Sequence, residues 1–266
     1  MTDPLTLAVE AARAAGRIQR EHAERAATIA YKGDIDPVTE VDLLCEKEIL
    51  SRIRTAFPDH EILAEESGEA AGTAEWRWLI DPLDGTVNYA HGFPCYCVSI
   101  ALERRGRVEL GVVYNPNLDE LFAARRGEGA TLNGRPIRVS RIDTLKRSLL
   151  VTGFAYNVRE SSNNNLDHFA NFVMEGQAVR RPGSAAIDLC YTACGRFEGF
   201  WELNLNPWDY AAGWLFVEEA GGRVTRFDGE PFRLGDREIL ASNGRVHAAM
   251  VEVLGRGHSR GERVPS

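Results

Sequence analysis

The sequence predicts a layered, mixed α/β protein in the wider α+β sense. Three observations support this: two amphipathic helices open the chain, strand-like runs with turn signals fill residues 96–139, and helical and strand-like segments alternate from about residue 150. No internal repeat and no long linker divides the chain. We therefore expect one domain over 1–266, with an N-terminal lobe to about residue 147, a C-terminal lobe over 148–255 and a disordered polar tail over 256–266.

The first two elements are predicted to be helices. Apolar residues recur at helical spacing over residues 5–22, which indicates an amphipathic helix. Gly and Pro then interrupt the pattern over 33–37, and we expect a mobile loop there. A second apolar stripe begins at Thr39 and closes at Pro58, so a second helix is expected between them.

Strands follow these helices. Two short apolar runs, over 61–64 and 76–80, each predict a strand that ends in acidic residues. Turn signals at 105–106, 127–129 and 133–134 divide the next segment into an antiparallel meander. Further helices are predicted near 166–175, 184–195, 207–220 and 245–254, and strands near 177–181, 197–202, 222–225 and 238–242.

The net charge excludes some function classes. Lys and Arg number 31 against 39 Asp and Glu, which gives a formal charge of -8. Such a chain is a poor candidate for non-specific binding to nucleic acid or to an anionic membrane surface. No apolar run approaches the length of a transmembrane helix, and no basic segment followed by an apolar run opens the chain. We expect no nucleic-acid partner, no membrane and no secretory signal.

The cysteines indicate a reducing compartment. Five are present, an odd number for a disulfide framework. Cys95 and Cys97 are separated by one residue and Cys190 and Cys194 by three, and neither spacing is typical of a zinc site. We expect small buried hydrophobic residues in a cytoplasmic protein.

The most informative motif follows the apolar run Trp78–Ile80. Asp81 ends that run, Pro82 fixes the turn, and Asp84 lies three residues further on, so both carboxylates can face one point. Gly85 permits a ligand to approach the backbone, and Thr86 offers a hydroxyl. A polar turn with Asp84 as a helix N-cap is the structural alternative.

Three other acidic segments have structural alternatives too. Glu65 and Glu66 end the preceding strand, and they can equally be solvated surface acids. Asp42 follows Thr39 with the spacing of a capping box. Asp209 lies in the first turn predicted after Asn206-Pro207, where an acid stabilises the helix dipole by about 0.3–1 kcal/mol.

Considered together, these acids indicate a metal site. Five of them lie at the ends of elements: Asp42, Glu65, Asp81, Asp84 and Asp209. If they converge, their mutual repulsion is several kcal/mol for each close pair, and bound cations offset it. A set of carboxylates without His or Cys suits a hard ion, and Mg²⁺ fits where phosphate oxygens and water complete the coordination.

The same residues resemble the inositol monophosphatase family. The resemblance spans about residues 5–255 and rests on Glu65-Glu66, on the D-P-L-D-G-T run from Asp81, on Trp208-Asp209 and on Glu219-Ala220-Gly221-Gly222. It implies an α/β/α/β/α sandwich of the sugar-phosphatase type. It also implies a homodimer and lithium-sensitive hydrolysis of small phosphomonoesters that depends on two or three Mg²⁺ ions.

The resemblance further implies a role for each matching residue. The first metal would be held by Glu65, Asp81 and the Leu83 carbonyl, and the second by Asp81, Asp84 and Asp209. Thr86 and Asp42 would orient and deprotonate the attacking water, with Glu65 beside them as a third catalytic residue. The amides of Gly85 and Thr86 would bind phosphate oxygens.

Substrate contacts are implied on the alcohol side of the site. Gly183, Ser184 and Ala185 resemble the family's contact to a polyol ring, although Ser184 can equally be a plain helix N-cap. Glu202 resembles a glutamate that accepts hydrogen bonds from inositol hydroxyls, and Lys32 resembles a basic residue of a mobile loop.

Several substrates stay open. Myo-inositol 1-phosphate is the expected substrate; histidinol phosphate, fructose 1,6-bisphosphate and adenosine 3′,5′-bisphosphate are the alternatives within the superfamily. The segment 153–165 departs from the best-known animal sequences, and specificity can differ there. A non-catalytic partner-binding protein on the same fold is the alternative from a different class.

Overall fold

The structure, a computed structural model, describes residues 2–23, 29–31, 37–70, 72 and 75–256. Within these ranges lie seven α-helices: α1 Pro4–Ala23, α2 Glu40–Ala56, α3 Thr86–Ala90, α4 Leu166–Glu175, α5 Ala185–Ala193, α6 Pro207–Glu219 and α7 His247–Leu254. The strands of the N-terminal half are β1 Ile29–Tyr31, β2 Pro37–Thr39, β3 Glu61–Ala64, β4 Gly68–Ala70, β5 Trp76–Asp84, β6 Cys97–Arg104, β7 Arg107–Asn115, β8 Glu120–Arg125, β9 Gly129–Leu132 and β10 Arg135–Pro136. Those of the C-terminal half are β11 Leu149–Thr152, β12 Ala178–Arg180, β13 Gly199–Leu203, β14 Arg223–Thr225 and β15 Glu238–Ser242.

Eight strands form the larger sheet, in the order β10-β9-β8-β7-β6-β5-β3-β4. Its neighbouring strands are antiparallel except β3 and β5, which run parallel. The predicted meander is therefore present, from β6 to β10. Because β3 and β5 run in the same direction, their carboxyl ends meet at one edge of the sheet.

Five strands form the second sheet, in the order β12-β11-β13-β15-β14. The three strands β12, β11 and β13 are parallel, whereas β15 is antiparallel to both of its neighbours. Helix α4 connects β11 to β12 and α5 connects β12 to β13, because parallel strands need a crossover connection.

The helices divide into three layers. Helices α1 and α2 cover one face of the larger sheet, α5 and α6 fill the space between the two sheets, and α4 and α7 cover the far side of the smaller sheet. The order of layers is thus α/β/α/β/α, and the fold class predicted from the sequence is confirmed. No helix in the described ranges is both long and apolar enough to cross a membrane.

The central helix layer explains why α6 lacks a polar face. Its sequence is apolar almost all round, as expected for a helix enclosed between two sheets. Gly213 lets it approach α5, since a Cβ there would lie 2.4 Å from the Cβ of Leu189. On its other side Gly111 of β7 meets Ala212, where an added Cβ would lie 2.9 Å from the Cα of Ala212.

The structure differs from the sequence-based expectation at several elements, including β1 and β4, which were not predicted. Strand β5 continues beyond Ile80 to Asp84, because an irregularity in its pairing with β6 accommodates Pro82 within the strand. The residues after Gly85 form the short helix α3, and 37–39 pair with β1 as a strand where a loop was expected. The expectations for Lys32, for the rest of the 33–37 loop and for the tail beyond residue 256 lie outside the described residues.

Candidate active site

The carboxyl end of β5 presents two acids through a break in the strand ladder. Asp81 pairs with Ser99 and Asp84 with Cys97, and the register shifts between the two pairs. Asp81 Oδ1 accepts a hydrogen bond from the Leu83 amide at 3.0 Å, which closes the turn. A bulge of this kind re-aims side chains, so both carboxylates face the same side.

Gly85 follows immediately and requires glycine. Its φ is 93°, in the left-handed region, and an added Cβ would lie 2.8 Å from the Cys95 carbonyl oxygen. The backbone therefore turns sharply into α3, whose first residue is Thr86. Thr86 Oγ1 lies 3.1 Å from Asp42 Oδ1 and 3.0 Å from the Leu83 carbonyl oxygen. Asp42 and Thr86 are thus in direct contact although 44 residues separate them.

Glu65 joins the pair from β3. Its amide donates to the Ile80 carbonyl at 3.1 Å, which extends the β3–β5 ladder to the sheet edge. The carboxyl groups of Glu65 and Asp81 lie within hydrogen-bonding reach of each other, and this contact contributes to the raised pKa of Asp81. Glu65 therefore lies beside the Asp81 carboxyl, at the edge where two parallel strands end.

Asp84 and Asp209 connect the two sheets. Asp84 Oδ2 accepts hydrogen bonds from Ser184 Oγ at 2.6 Å and from the Ala186 amide at 2.8 Å, at the amino end of α5. Asp209 lies in the first turn of α6, and its Oδ2 accepts from the Asn206 amide at 2.7 Å. The structural roles weighed for Ser184 and Asp209 are therefore real, since Ser184 also caps α5 by accepting from the Ile187 amide at 3.4 Å. Both residues nevertheless lie at the acidic cluster.

The acids disturb one another electrostatically. Burial raises the pKa of Asp81, and the charges of Glu65, Asp84 and Asp209 raise it further. Burial and Glu65 likewise raise the pKa of Asp209, and burial raises that of Asp84 although Ser184 and the Ala186 amide oppose the rise. These shifts show that the carboxylates repel when all are ionised, which a cation among them would relieve.

One cavity of about 160 Å³ brings the candidate residues together. It is lined by all five metal-ligand candidates: Glu65, Asp81, Leu83, Asp84 and Asp209. It is also lined by all the substrate-side candidates in the described residues: Gly85, Thr86, Gly183, Ser184, Ala185 and Glu202. Asp42 lies behind Thr86, and Lys32 falls outside the described residues.

Glu202 forms the wall opposite the β5 acids. It is buried, and burial followed by the charge of Asp84 raises its pKa to about 8, with Arg181 opposing the rise. Gly153 leaves room for this carboxyl, because a Cβ at that position would lie 2.2 Å from Glu202 Oε1. The far end of the cavity therefore holds a hydrogen-bonding carboxyl that no basic side chain in the described ranges pairs with.

Sequence reasoning missed several residues of this cavity, among them the polar residues Asn88, Arg181 and Asp188. Asn88 donates to the carbonyls of Cys95 and Pro182, Arg181 lies on the rim, and Asp188 lies in the wall one helical turn beyond Ser184. A signal for Asp188 existed, since residues four apart share one face of a helix. No comparable signal marked Asn88 or Arg181, because both reach the site through tertiary contacts.

The donor chemistry fits a hard divalent ion. All the candidate ligands are oxygen atoms, from four carboxylates and one backbone carbonyl. In the described part of the chain no three His, Cys, Asp or Glu side chains already stand as a ligand set. The hydrogen bonds explain this, since one oxygen each of Asp81, Asp84 and Asp209 is held by a protein donor. A carboxylate turns about its own bonds far more readily than its backbone moves, so these side chains can rotate to face one ion.

Known proteins match this chain over nearly its full length. The family model described as the inositol monophosphatase family matches residues 1–257. The inositol-1-monophosphatase of Synechocystis sp. is 48% identical over 252 residues, covering 94% of this chain and 88% of that protein. The Nus factor SuhB of Escherichia coli is 44% identical over 250 residues, covering 93% of this chain and 94% of that protein.

Solved structures agree with the sequence matches. The inositol monophosphatase of Anabaena (Nostoc) sp. PCC 7120 superposes with a TM-score of 0.87 at 45% identity, covering 95% of both chains. The extragenic suppressor protein suhB of Bartonella henselae gives a TM-score of 0.89 at 39% identity, covering 95% of this chain and 98% of that one. A family model that matches almost every residue, together with relatives this similar, shows that the chain belongs to the inositol monophosphatase family and is a phosphoric monoester hydrolase.

Proposed function

We propose that this protein hydrolyses small phosphomonoesters with Mg²⁺, and that its preferred substrate is myo-inositol 1-phosphate. The observation that carries the proposal is that Glu65, Asp81, Asp84 and Asp209 line one cavity, where the charges of Glu65 and Asp84 raise the pKa of both Asp81 and Asp209. Inositol monophosphatases are metal dependent. The identity of the ion as Mg²⁺ is inferred from the all-oxygen donor set.

Each candidate ligand has a proposed place. Glu65, Asp81 and the Leu83 carbonyl would hold one ion, and Asp81, Asp84 and Asp209 a second. When bound, such ions lower the pKa of water and neutralise charge on the phosphoryl group. The acidic chain can therefore accept an anionic substrate only in its metal-loaded form.

The chain's own residues supply proton handling and positioning. Thr86 Oγ1 and Asp42 Oδ1 lie 3.1 Å apart, so Thr86 can pass a proton toward Asp42 while its oxygen orients a water molecule. Glu65 lies beside them in the cavity wall, where it can accept a second hydrogen bond from that water. The amides of Gly85 and Thr86 are proposed to bind phosphate oxygens, because both residues line the cavity at the turn into α3.

The opposite wall supports a neutral polyol as the leaving group. Gly183, Ser184 and Ala185 are proposed to contact the ring, and Glu202 to accept hydrogen bonds from its hydroxyls. Arg181 lies on the rim of the same end. A hydroxyl is both donor and acceptor, so it can satisfy an arginine and a carboxylate together.

A substrate panel tests the proposal. With Mg²⁺ present, we expect kcat/KM for myo-inositol 1-phosphate to exceed those for histidinol phosphate, fructose 1,6-bisphosphate and adenosine 3′,5′-bisphosphate by about tenfold or more, since buried carboxyls discriminate by hydrogen bonding. Phosphate release measures each rate. A tenfold preference for histidinol phosphate would contradict the choice of substrate, while leaving the phosphatase chemistry intact.

The remaining expectations about partners and setting are also proposals. A homodimer, lithium sensitivity and a cytoplasmic location are inferred from the family resemblance and from the cysteines, all five of which are free thiols. The name Nus factor belongs to the relatives that carry it. The charge of -8 leads us to expect no direct nucleic-acid binding by this chain, and an RNA mobility shift at physiological salt would contradict that.

A further inference from the structure

Asp188 is a buried acid without a hydrogen-bond partner. It lies in α5 and is 1% exposed, and neither carboxyl oxygen has a partner within the described residues. Burying a carboxyl group without a partner destabilises a protein, so such groups are rare and need an explanation. Asp188 also lines the catalytic cavity.

None of the described polar groups near Asp188 supplies the missing hydrogen bond. Burial raises its pKa first, the charges of Glu202 and Asp84 raise it further, and Arg181 lowers it. Ser184 lies one helical turn earlier in α5, but its hydroxyl is 2.6 Å from Asp84 Oδ2 and is committed to that carboxylate. Asp188 and Glu202 both line the cavity, and they lie close enough for the charge of Glu202 to raise the pKa of Asp188.

We propose that Asp188 is a specificity-determining residue, which hydrogen-bonds a hydroxyl on the alcohol half of the substrate. This inference rests on the proposed function, because it requires a leaving group that carries several hydroxyls. A ligand hydroxyl would supply the partner that the protein does not. The destabilisation of the free enzyme would then be offset only when a polyol is bound.

The chemistry of the pair Asp188 and Glu202 matches a polyol. A protonated carboxyl group offers one O–H donor and one carbonyl acceptor, whereas an ionised one offers acceptors only. Burial and neighbouring charges raise the pKa of both Asp188 and Glu202, so the pair supplies donors as well as acceptors. Two neighbouring hydroxyls can therefore bond to both groups at once, whereas an alkyl or aryl leaving group leaves them unpaired.

Two substitutions and two substrates test the proposal in the metal-loaded full chain. Asp188→Asn keeps a neutral donor and acceptor, so kcat/KM for myo-inositol 1-phosphate should stay within about threefold of the unchanged protein. Asp188→Leu removes both, and we expect a loss of about tenfold. With 4-nitrophenyl phosphate, whose leaving group has no further hydroxyl, both variants should stay within about twofold.

Thr192→Val is the matched control. Thr192 is a buried residue of the next turn of α5, and its hydroxyl donates to the Asp188 carbonyl at 2.9 Å, but it does not line the cavity. Thr192→Val should change kcat/KM for myo-inositol 1-phosphate and for 4-nitrophenyl phosphate by no more than about twofold. The melting temperature of Asp188→Leu should not fall, because the substitution removes an unpartnered buried carboxyl group.

Three results would overturn the proposal. They are equal losses on both substrates, no loss on either, and a loss in Asp188→Asn as large as in Asp188→Leu. Failure of the proposed function looks different, since the unchanged protein would then cleave 4-nitrophenyl phosphate and prefer another phosphomonoester. In that case the preferred substrate replaces myo-inositol 1-phosphate in the comparison with 4-nitrophenyl phosphate. The same three results would then overturn the role of Asp188.

Discussion

Two donors at the start of α5 hydrogen-bond to the carboxylate of Asp84. Its Oδ2 accepts from Ser184 and from the amide of Ala186, which fixes the start of α5 against the end of β5. Burial raises its pKa in the metal-free protein, so the ionised form needs a cation close by. Asparagine has the same shape without the charge.

Asp84→Asn should therefore lose phosphatase activity while the fold is retained. We expect kcat to fall about 100-fold or more, because a ligand of the proposed metal pair is removed. At 100 times its dissociation constant, Mg²⁺ should stabilise the folded unchanged protein by about 2.7 kcal/mol. Its melting temperature should therefore rise. Scanning calorimetry with and without Mg²⁺ measures this, and the increase should be much smaller in Asp84→Asn.

An exposed acid provides the control. Asp59 lies in the turn after α2, outside the cavity, and Asp59→Asn should keep both the activity and the Mg²⁺ effect. Full activity in Asp84→Asn would contradict the assignment of the metal site.

At the scale of elements, the His247 side chain links helix α7 to strands β14 and β15 by hydrogen bonds. It is the first residue of α7 and is buried, with Nε2 at 2.9 Å from Thr225 Oγ1 of β14 and Nδ1 at 2.8 Å from Ser242 Oγ of β15. Burial, aided by Arg223, lowers its pKa to about 4. The neutral imidazole is thus part of the packing between α7 and the outer strands.

The free energy of unfolding should depend on pH through this group. Between about pH 4 and the ordinary histidine value near 6.5, the unfolded chain binds a proton that the folded chain does not, so stability rises with pH. The contribution is complete above pH 6.5 and about 3 kcal/mol is lost as the pH falls to 4. Urea unfolding of His247→Gln should show a flatter dependence than the unchanged protein, whereas His91→Gln at an exposed site should not.

At the scale of the whole molecule, Asn88 joins the two halves. Its Nδ2 donates to the Cys95 carbonyl at 2.7 Å and to the Pro182 carbonyl at 2.8 Å, with the Gly183 carbonyl at 3.2 Å. Through these bonds the end of the larger sheet holds the loop that precedes α5. We propose that residues 1–266 are one domain, whose two lobes share the helix layer formed by α5 and α6.

Calorimetry tests this unity. We expect one cooperative transition, and Asn88→Ala should lower its midpoint by about 5 °C, since about 2 kcal/mol of hydrogen bonding is removed. Activity on 4-nitrophenyl phosphate and on inositol 1-phosphate should fall by the same factor, because the whole site loosens. Asn163→Ala, at an exposed turn, should leave the midpoint unchanged. Two separate transitions would contradict a single domain.

Local pattern was enough for most of the elements and for the acids of the cavity. Helical spacing predicted α1, α2 and α4 closely, and period and turn residues predicted the meander, because these signals depend only on neighbours in the chain. The acid-ended strands led to Asp81 and Glu65 for the same reason. The family resemblance then supplied Glu202 and Ser184, which local pattern alone left ambiguous.

What the sequence determined by itself is the layered α/β class and the chemical character of the site, since both follow from periodicity and from carboxylates placed at the ends of elements. The tertiary structure alone decided that Asp84 binds the start of α5, that Asn88 holds the loop before α5 and that Asp188 is left without a partner in the described residues. These contacts join residues about a hundred positions apart or depend on what is missing around a side chain. Neither can be read from neighbours in the chain, because they arise only when the layers pack.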